Sequence, residues 1–132
     1  MRKDQVASVG SRQVILMDSI TAIGPEDEEK IVISGSHGGT VSGEYASRHR
    51  LAAVFFNDAG VGKESAGIAA LEMLDRRGVP AGTVANHSAR IGDALDHWKN
   101  GVLSHVNDSA RALGLHEGDL LHAAIRQAFS KL

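Results

Sequence analysis

The chain has 132 residues, 42% hydrophobic, 23% charged and 4% aromatic, with 14 basic against 16 acidic side chains and a formal net charge of −2. That length suits one domain, 1–132, able to bury its own core without a disulfide or structural metal, and the lack of cysteine removes thiolate nucleophiles and Cys-ligated zinc. The charge balance offers no field for nucleic-acid phosphates, no apolar run reaches the roughly 20 residues of a membrane span, and Met1-Arg2-Lys3-Asp4 has no signal-peptide core, so a cytoplasmic protein is expected, with no nucleic-acid or membrane partner.

Residues 1–12 are polar and weakly patterned, as in a frayed leader or an edge strand. Val14-Ile15-Leu16-Met17 and Ile31-Val32-Ile33 read as two short strands joined by the charged turn 24–30. After the second strand come Gly35-Ser36-His37-Gly38-Gly39 and a helix over 41–50. The continuous apolar run 51–56 is expected of a strand buried on both faces. Its loop, Asn57-Asp58-Ala59-Gly60-Val61-Gly62, leads into a helix over 63–77 that stops at Gly78. A third strand begins at Val79-Pro80, runs to Ala85 and closes in the polar loop 86–93. Residues 101–132 then read as C-terminal helices. One carries the stripe Val102, Leu103, Val106, Ala110 and Leu113, ending at Gly114; the other carries Leu120, Leu121, Ala124, Ile125, Ala128 and Phe129.

Strands alternating with helices predict an α/β fold, a three-layer α/β/α sandwich with a mainly parallel sheet of four or five strands. Parallel strands would bring the three polar loops to one sheet edge, where ligands of such folds sit.

In the first loop, Gly35, Ser36, Gly38 and Gly39 can turn backbone N–H groups toward an anion, and His37 can move a proton near neutral pH. The plainer reading is a tight turn with an exposed histidine. The spacing G-x-x-G-G is not a dinucleotide fingerprint. The second loop offers Asn57, Asp58 and Lys63, but two defining positions of a phosphate-binding P-loop fail, at Asn57 and Glu64. Asp58 suits an acid, a base or a helix cap. The third loop gathers Asn86, His87, Ser88, Arg90 and Asp93, with Arg90 fit to clamp a carboxylate or phosphate or to pair internally with Asp93 or Asp58.

Asp93 and His97 have i, i+4 spacing and read as a surface polar pair rather than as metal ligands. His49, His105, His116 and His122 read as exposed or interfacial helix residues. No G-x-S-x-G elbow is present.

These groups suit an enzyme catalysing hydrolysis, elimination or isomerisation of a small polar or anionic metabolite. His37, His87 and Asp58 would be catalytic, the other loop residues substrate-binding, with no metal and no cofactor that the sequence identifies. The competing readings are a non-catalytic binding or regulatory domain and an assembly subunit. Self-association is expected in each case, to protect sheet edges.

Overall fold

The computed structural model describes residues 1–131. One six-stranded sheet runs in strict chain order: β1 (Lys3–Val9), β2 (Arg12–Met17), β3 (Ile31–His37), β4 (Ala53–Asn57), β5 (Ala81–Val84) and β6 (Leu103–Val106). β2 through β5 are mutually parallel, whereas β1 and β6 pair antiparallel with their neighbours. The fold is therefore mixed α/β with six strands, not the mainly parallel sheet of four or five strands expected from the sequence.

β1 is the edge strand, one of the two readings of residues 1–12, β6 is the strand not expected, and both have local causes. β1 and β2 form a hairpin through Gly10-Ser11, with Gly10 in the left-handed region at φ 58°. Lys3 anchors β1 by reaching the Ala22 carbonyl at 2.7 Å and the carboxylates of Glu26 at 2.6 Å and buried Asp27 at 2.9 Å. β6 replaces the first half of the helix expected after residue 101. Val102, Leu103 and Val106 have the i, i+1, i+4 spacing of a helix, but pairing with β5 makes the segment a strand, and Gly101 fits a close approach in which a Cβ would lie 2.7 Å from Val84 Cγ1. Asn107 then starts a new helix by accepting the Ala110 amide at 2.9 Å.

Five helices lie among the described residues: α1 (Thr40–Ala46), α2 (Ala69–Asp75), α3 (Ala94–Asn100), α4 (Asp108–Ala112) and α5 (Leu121–Phe129). The expected helix over 63–77 is instead a 3-10 stretch, 63–68, followed by α2. α3 arises where the sequence reading placed no element, on a buried stripe of Ala94, His97 and Trp98.

Side chains alternate across the strands into two clusters. Val14, Leu16, Ile31, Ile33 and Phe55 join residues of α3, α4 and α5 in one; Ile15, Met17, Val32, Val54 and Phe56 join residues of α1 and α2 in the other. Complete burial of Phe55 and Phe56 contributes on the order of 1.5–3 kcal/mol each. Strand order never reverses, and the helices joining β3 to β4 and β4 to β5 both feed the second cluster, so the parallel strands are wound in one direction. The crevice that a reversal opens in doubly wound sheets is consequently absent. No helix among the described residues is long and apolar enough to cross a membrane.

Candidate functional site

The loops after β3, β4 and β5 do meet, joined by their own hydrogen bonds. The Gly38 amide donates to the Asn57 carbonyl at 2.9 Å, Ala70 to the Gly38 carbonyl at 2.8 Å, Asp58 to Val84 at 2.9 Å and Gly92 to Gly35 at 2.7 Å. The glycines let these segments touch. A Cβ on Gly38 would lie 2.6 Å from the Gly67 carbonyl, and one on Gly35 would collide with the Asp18 carbonyl. Other amides of the first loop are also engaged within the chain, Ser36 with Ser34 Oγ at 2.9 Å and Gly39 with His37 Nδ1 at 3.0 Å. Ser36 Oγ itself accepts the Ile20 amide at 3.0 Å.

Exposed His37 therefore carries no proton on Nδ1 in this contact, and Nε2 is its remaining polar nitrogen. It lines an open cavity of about 380 Å³ with Gly39, Thr40, Val41 and the loop residues Ala59, Val61 and Gly62. The loop wall is strained: Ala59 and Val61 have φ of 51° and 68°, a region in which a β-branched residue such as Val61 is an outlier, and Glu64 and Ser65 in the 3-10 stretch beyond it share the left-handed region at 57° and 60°.

Asn57 and Asp58, both buried, hold the loops rather than face this cavity. Asp58 Oδ1 accepts the amides of Gly60 at 2.7 Å and Asn86 at 3.1 Å, so it bridges the second and third loops and is not a helix cap. Asn57 Oδ1 accepts the Ala59 amide at 2.9 Å, while its Nδ2 donates to the Ala89 carbonyl at 3.1 Å and faces His97 Nε2 at 3.2 Å. Exposed Lys63 opens the 3-10 stretch without lining the His37 cavity.

The third loop divides its residues between structure and surface. Ser88 Oγ donates to the Ala85 carbonyl at 2.7 Å and accepts the Val102 amide at 3.0 Å, fastening the end of β5 beside the start of β6. Asp93 caps α3 through the Asp96 amide at 3.0 Å. Arg90 lines a separate surface groove with Asp93, Leu95, Asp96 and Lys99, and its guanidinium makes no ion pair among the described residues, neither with Asp93 nor with Asp58. Asn86 and His87 are exposed. His37 and Arg90 thus occupy different cavities, although their loops are bonded to one another.

His97 is the residue that sequence reasoning misplaced. It is 1% exposed, not a surface partner of Asp93, and its Nδ1 donates to the Ser34 carbonyl at 2.8 Å. Burial holds its pKa below the ordinary histidine value, against the opposing pull of the Ser34 and Arg90 carbonyls and of Asp96 and Asp93. The signal was its place on the stripe Ala94, His97, Trp98. His49 lies between α1 and β4, His105 in β6 and His116 in the α4–α5 loop, so of the four histidines read as helical only His122, in α5, belongs to a helix. Asp18, beyond β2, ties two chain segments by accepting the amides of Ala94 at 3.0 Å and Arg2 at 2.9 Å; burial pushes its carboxyl up, but these donors outweigh burial and hold its pKa down.

No three histidine or carboxylate side chains among the described residues converge as a metal site. Comparison with protein-family models, curated proteins and solved structures finds no match to the chain.

Proposed function

We propose that the chain is a small cytoplasmic α/β enzyme of hydrolase, lyase or isomerase type, acting on a small polar or anionic molecule in the His37 cavity. The observation that carries the reading is the Gly39 amide on His37 Nδ1, which fixes the ring and leaves Nε2 for proton exchange. Thr40 adds a hydroxyl to the same cavity. Arg90 on the neighbouring loop and Lys99 on α3 line a separate groove and supply cationic groups for a charged portion of the substrate that reaches beyond the His37 cavity. We also read the helices feeding both clusters as the outer layers of a three-layer α/β/α arrangement, and the open edge of β1 as the surface for self-association.

A second reading, a non-catalytic small-anion- or nucleotide-binding domain, is favoured by the engagement of Asp58 with backbone amides, since His37 then lacks that carboxylate as an acid–base partner. A thermal-shift screen of wild type and His37→Ala against phosphorylated metabolites, nucleotides, carboxylates and neutral analogues, followed by turnover assays on each compound that binds, separates the two. A ligand at a hundredfold excess over Kd stabilises the native state by about 2.7 kcal/mol. Binding with turnover that His37→Ala abolishes is the expected result; binding without turnover selects the second reading, and full turnover by the variant refutes the first. Size-exclusion of the same samples reports self-association, a monomer peak alone removing it.

A further inference from the structure

We infer that His97 is the positioning residue of the His37 cavity, acting through Asn57, and that gain of a proton by its imidazole releases the loop wall over residues 57–62. The inference rests on the cavity proposed above as the working site, but its mechanism is a property of the loop alone.

The hydrogen-bond directions leave little freedom. Asn57 faces two backbone groups of opposite kind, the Ala59 N–H at 2.9 Å from Oδ1 and the Ala89 carbonyl at 3.1 Å from Nδ2. The amide therefore has one orientation, with N–H directed at His97 Nε2 at 3.2 Å. His97 Nδ1 lies 2.8 Å from the Ser34 carbonyl and must be the protonated nitrogen. The ring is consequently the neutral Nδ1–H tautomer, and Nε2 serves as an acceptor.

A second proton, on Nε2, would point N–H at N–H. Rotating the Asn57 amide relieves that contact only by setting its oxygen against the Ala89 carbonyl and its NH₂ against the Ala59 amide. Either response removes a bond that holds Ala59, the first cavity-lining residue after β4, or the β4 end whose carbonyl receives the Gly38 amide at 2.9 Å beside His37. Each buried polar group left without a partner costs about 1–3 kcal/mol. The left-handed residues of the same loop hold strain that release would relax.

The surroundings set how readily the proton arrives. Asp93 and Asp96 lie on His97's own helix, Arg90 approaches through its carbonyl from the third loop, and Asp18 bonds to the N-terminus of α3. Asp58, next to Asn57, has Oδ1 occupied by Gly60 and Asn86, and from α5 His122 and Arg126 face the neighbouring Trp98. The carboxylates and the Arg90 carbonyl favour the cation, burial opposes it, and a proton shared with the Arg90 carbonyl still forfeits the Asn57 bond.

The test is an NMR titration from pH 8 to 5 without ligand, in the isotope-labelled wild type, in His37→Ala, and in His97→Gln carried on that His37→Ala background, so that the imidazole beside Gly38 does not contribute, following the His97 imidazole and the amides of Gly38, Ala59 and Val61. The expected result is the Nδ1–H tautomer at pH 8, followed by movement of all three amides with the midpoint of His97, below about 6.5. In His97→Gln, whose side chain does not titrate, that amide step is expected to disappear. Silent amides while His97 titrates, an unchanged step in His97→Gln, or an imidazole that gains no proton before global unfolding would each overturn the inference. Should His97→Gln fail to fold, hydrogen exchange at Ala59 and Gly38 in His37→Ala decides: acceleration beyond the ordinary pH trend with the His97 midpoint supports it, and its absence refutes it. No readout requires turnover, so failure of the His37 assignment is distinguishable from failure of this one.

Discussion

Asn107 is 7% exposed and uses both ends of its amide twice. Its Nδ2 donates to the carbonyls of Leu71 at 3.1 Å and Val79 at 2.9 Å, and its Oδ1 accepts the amides of Ala81 at 3.1 Å and Ala110 at 2.9 Å. One side chain thereby joins α2, the start of β5 and the start of α4. Asn107→Ala deletes a cap and strands buried backbone groups, so it is expected to lower unfolding free energy by about 3 kcal/mol in urea denaturation. A loss under about 1 kcal/mol would mean that the site re-forms its bonds with water. Asn57 is a hub of the same kind at the opposite sheet end. Both show why a polar residue between apolar segments need not address a ligand.

Among the elements, Asp93 gives the clearest case of a candidate binding residue with a structural role. As the cap of α3 it is expected to be worth about 1 kcal/mol, so Asp93→Ala should lower the Tm by a few degrees, and an unchanged melting curve would remove the cap assignment. Much of the element pattern was legible. The apolar runs at Val14–Met17, Ile31–Ile33 and 51–56 all lie in or run into strands, and α5 carries the amphipathic stripe expected of it. β6 was not legible because its apolar residues, Val102, Leu103 and Val106, have helical spacing, and pairing with β5 overrode that local pattern. The loops were located correctly, yet which side chains face outward was hidden. Whether Asn57 and Asp58 meet a ligand or a backbone amide depends on the neighbouring loop, which no local pattern encodes.

For the whole molecule, the shifted groups give the acid limb of stability a sign and an order. His97 has a folded pKa below its unfolded value of about 6.5, so its contribution is intact above that pH and is lost as pH falls below it, because the unfolded chain then binds the extra proton. Asp18 and Asp96 also have lowered folded pKa values, but they are carboxylates: their contribution is present above about 3.9 and lost as pH falls through the folded values. Asn100 and the Arg90 amide cause the Asp96 shift. Unfolding free energy is therefore expected to decline in two stages on acidification, with a limiting one-proton slope near 1.4 kcal/mol per pH unit in the first. Chemical denaturation at half-unit pH intervals reads this directly, and a flat profile between pH 7 and 5 would contradict the buried, neutral His97.

Strand order identical to chain order also has a temporal meaning. As the chain is made, each new strand finds its partner already in place, so the sheet can grow from β1 toward β6 without threading or rearrangement. Its faces are not clothed at the same time. α1 and α2 arrive between consecutive strands and cover one side as it forms, whereas α3 and α5, which supply Trp98, Leu121, Ile125 and Phe129 to the other, follow β5. A chain elongated only through β5 presents Leu16, Ile33 and Phe55 uncovered, and it is during that interval that the nascent protein is most exposed to aggregation.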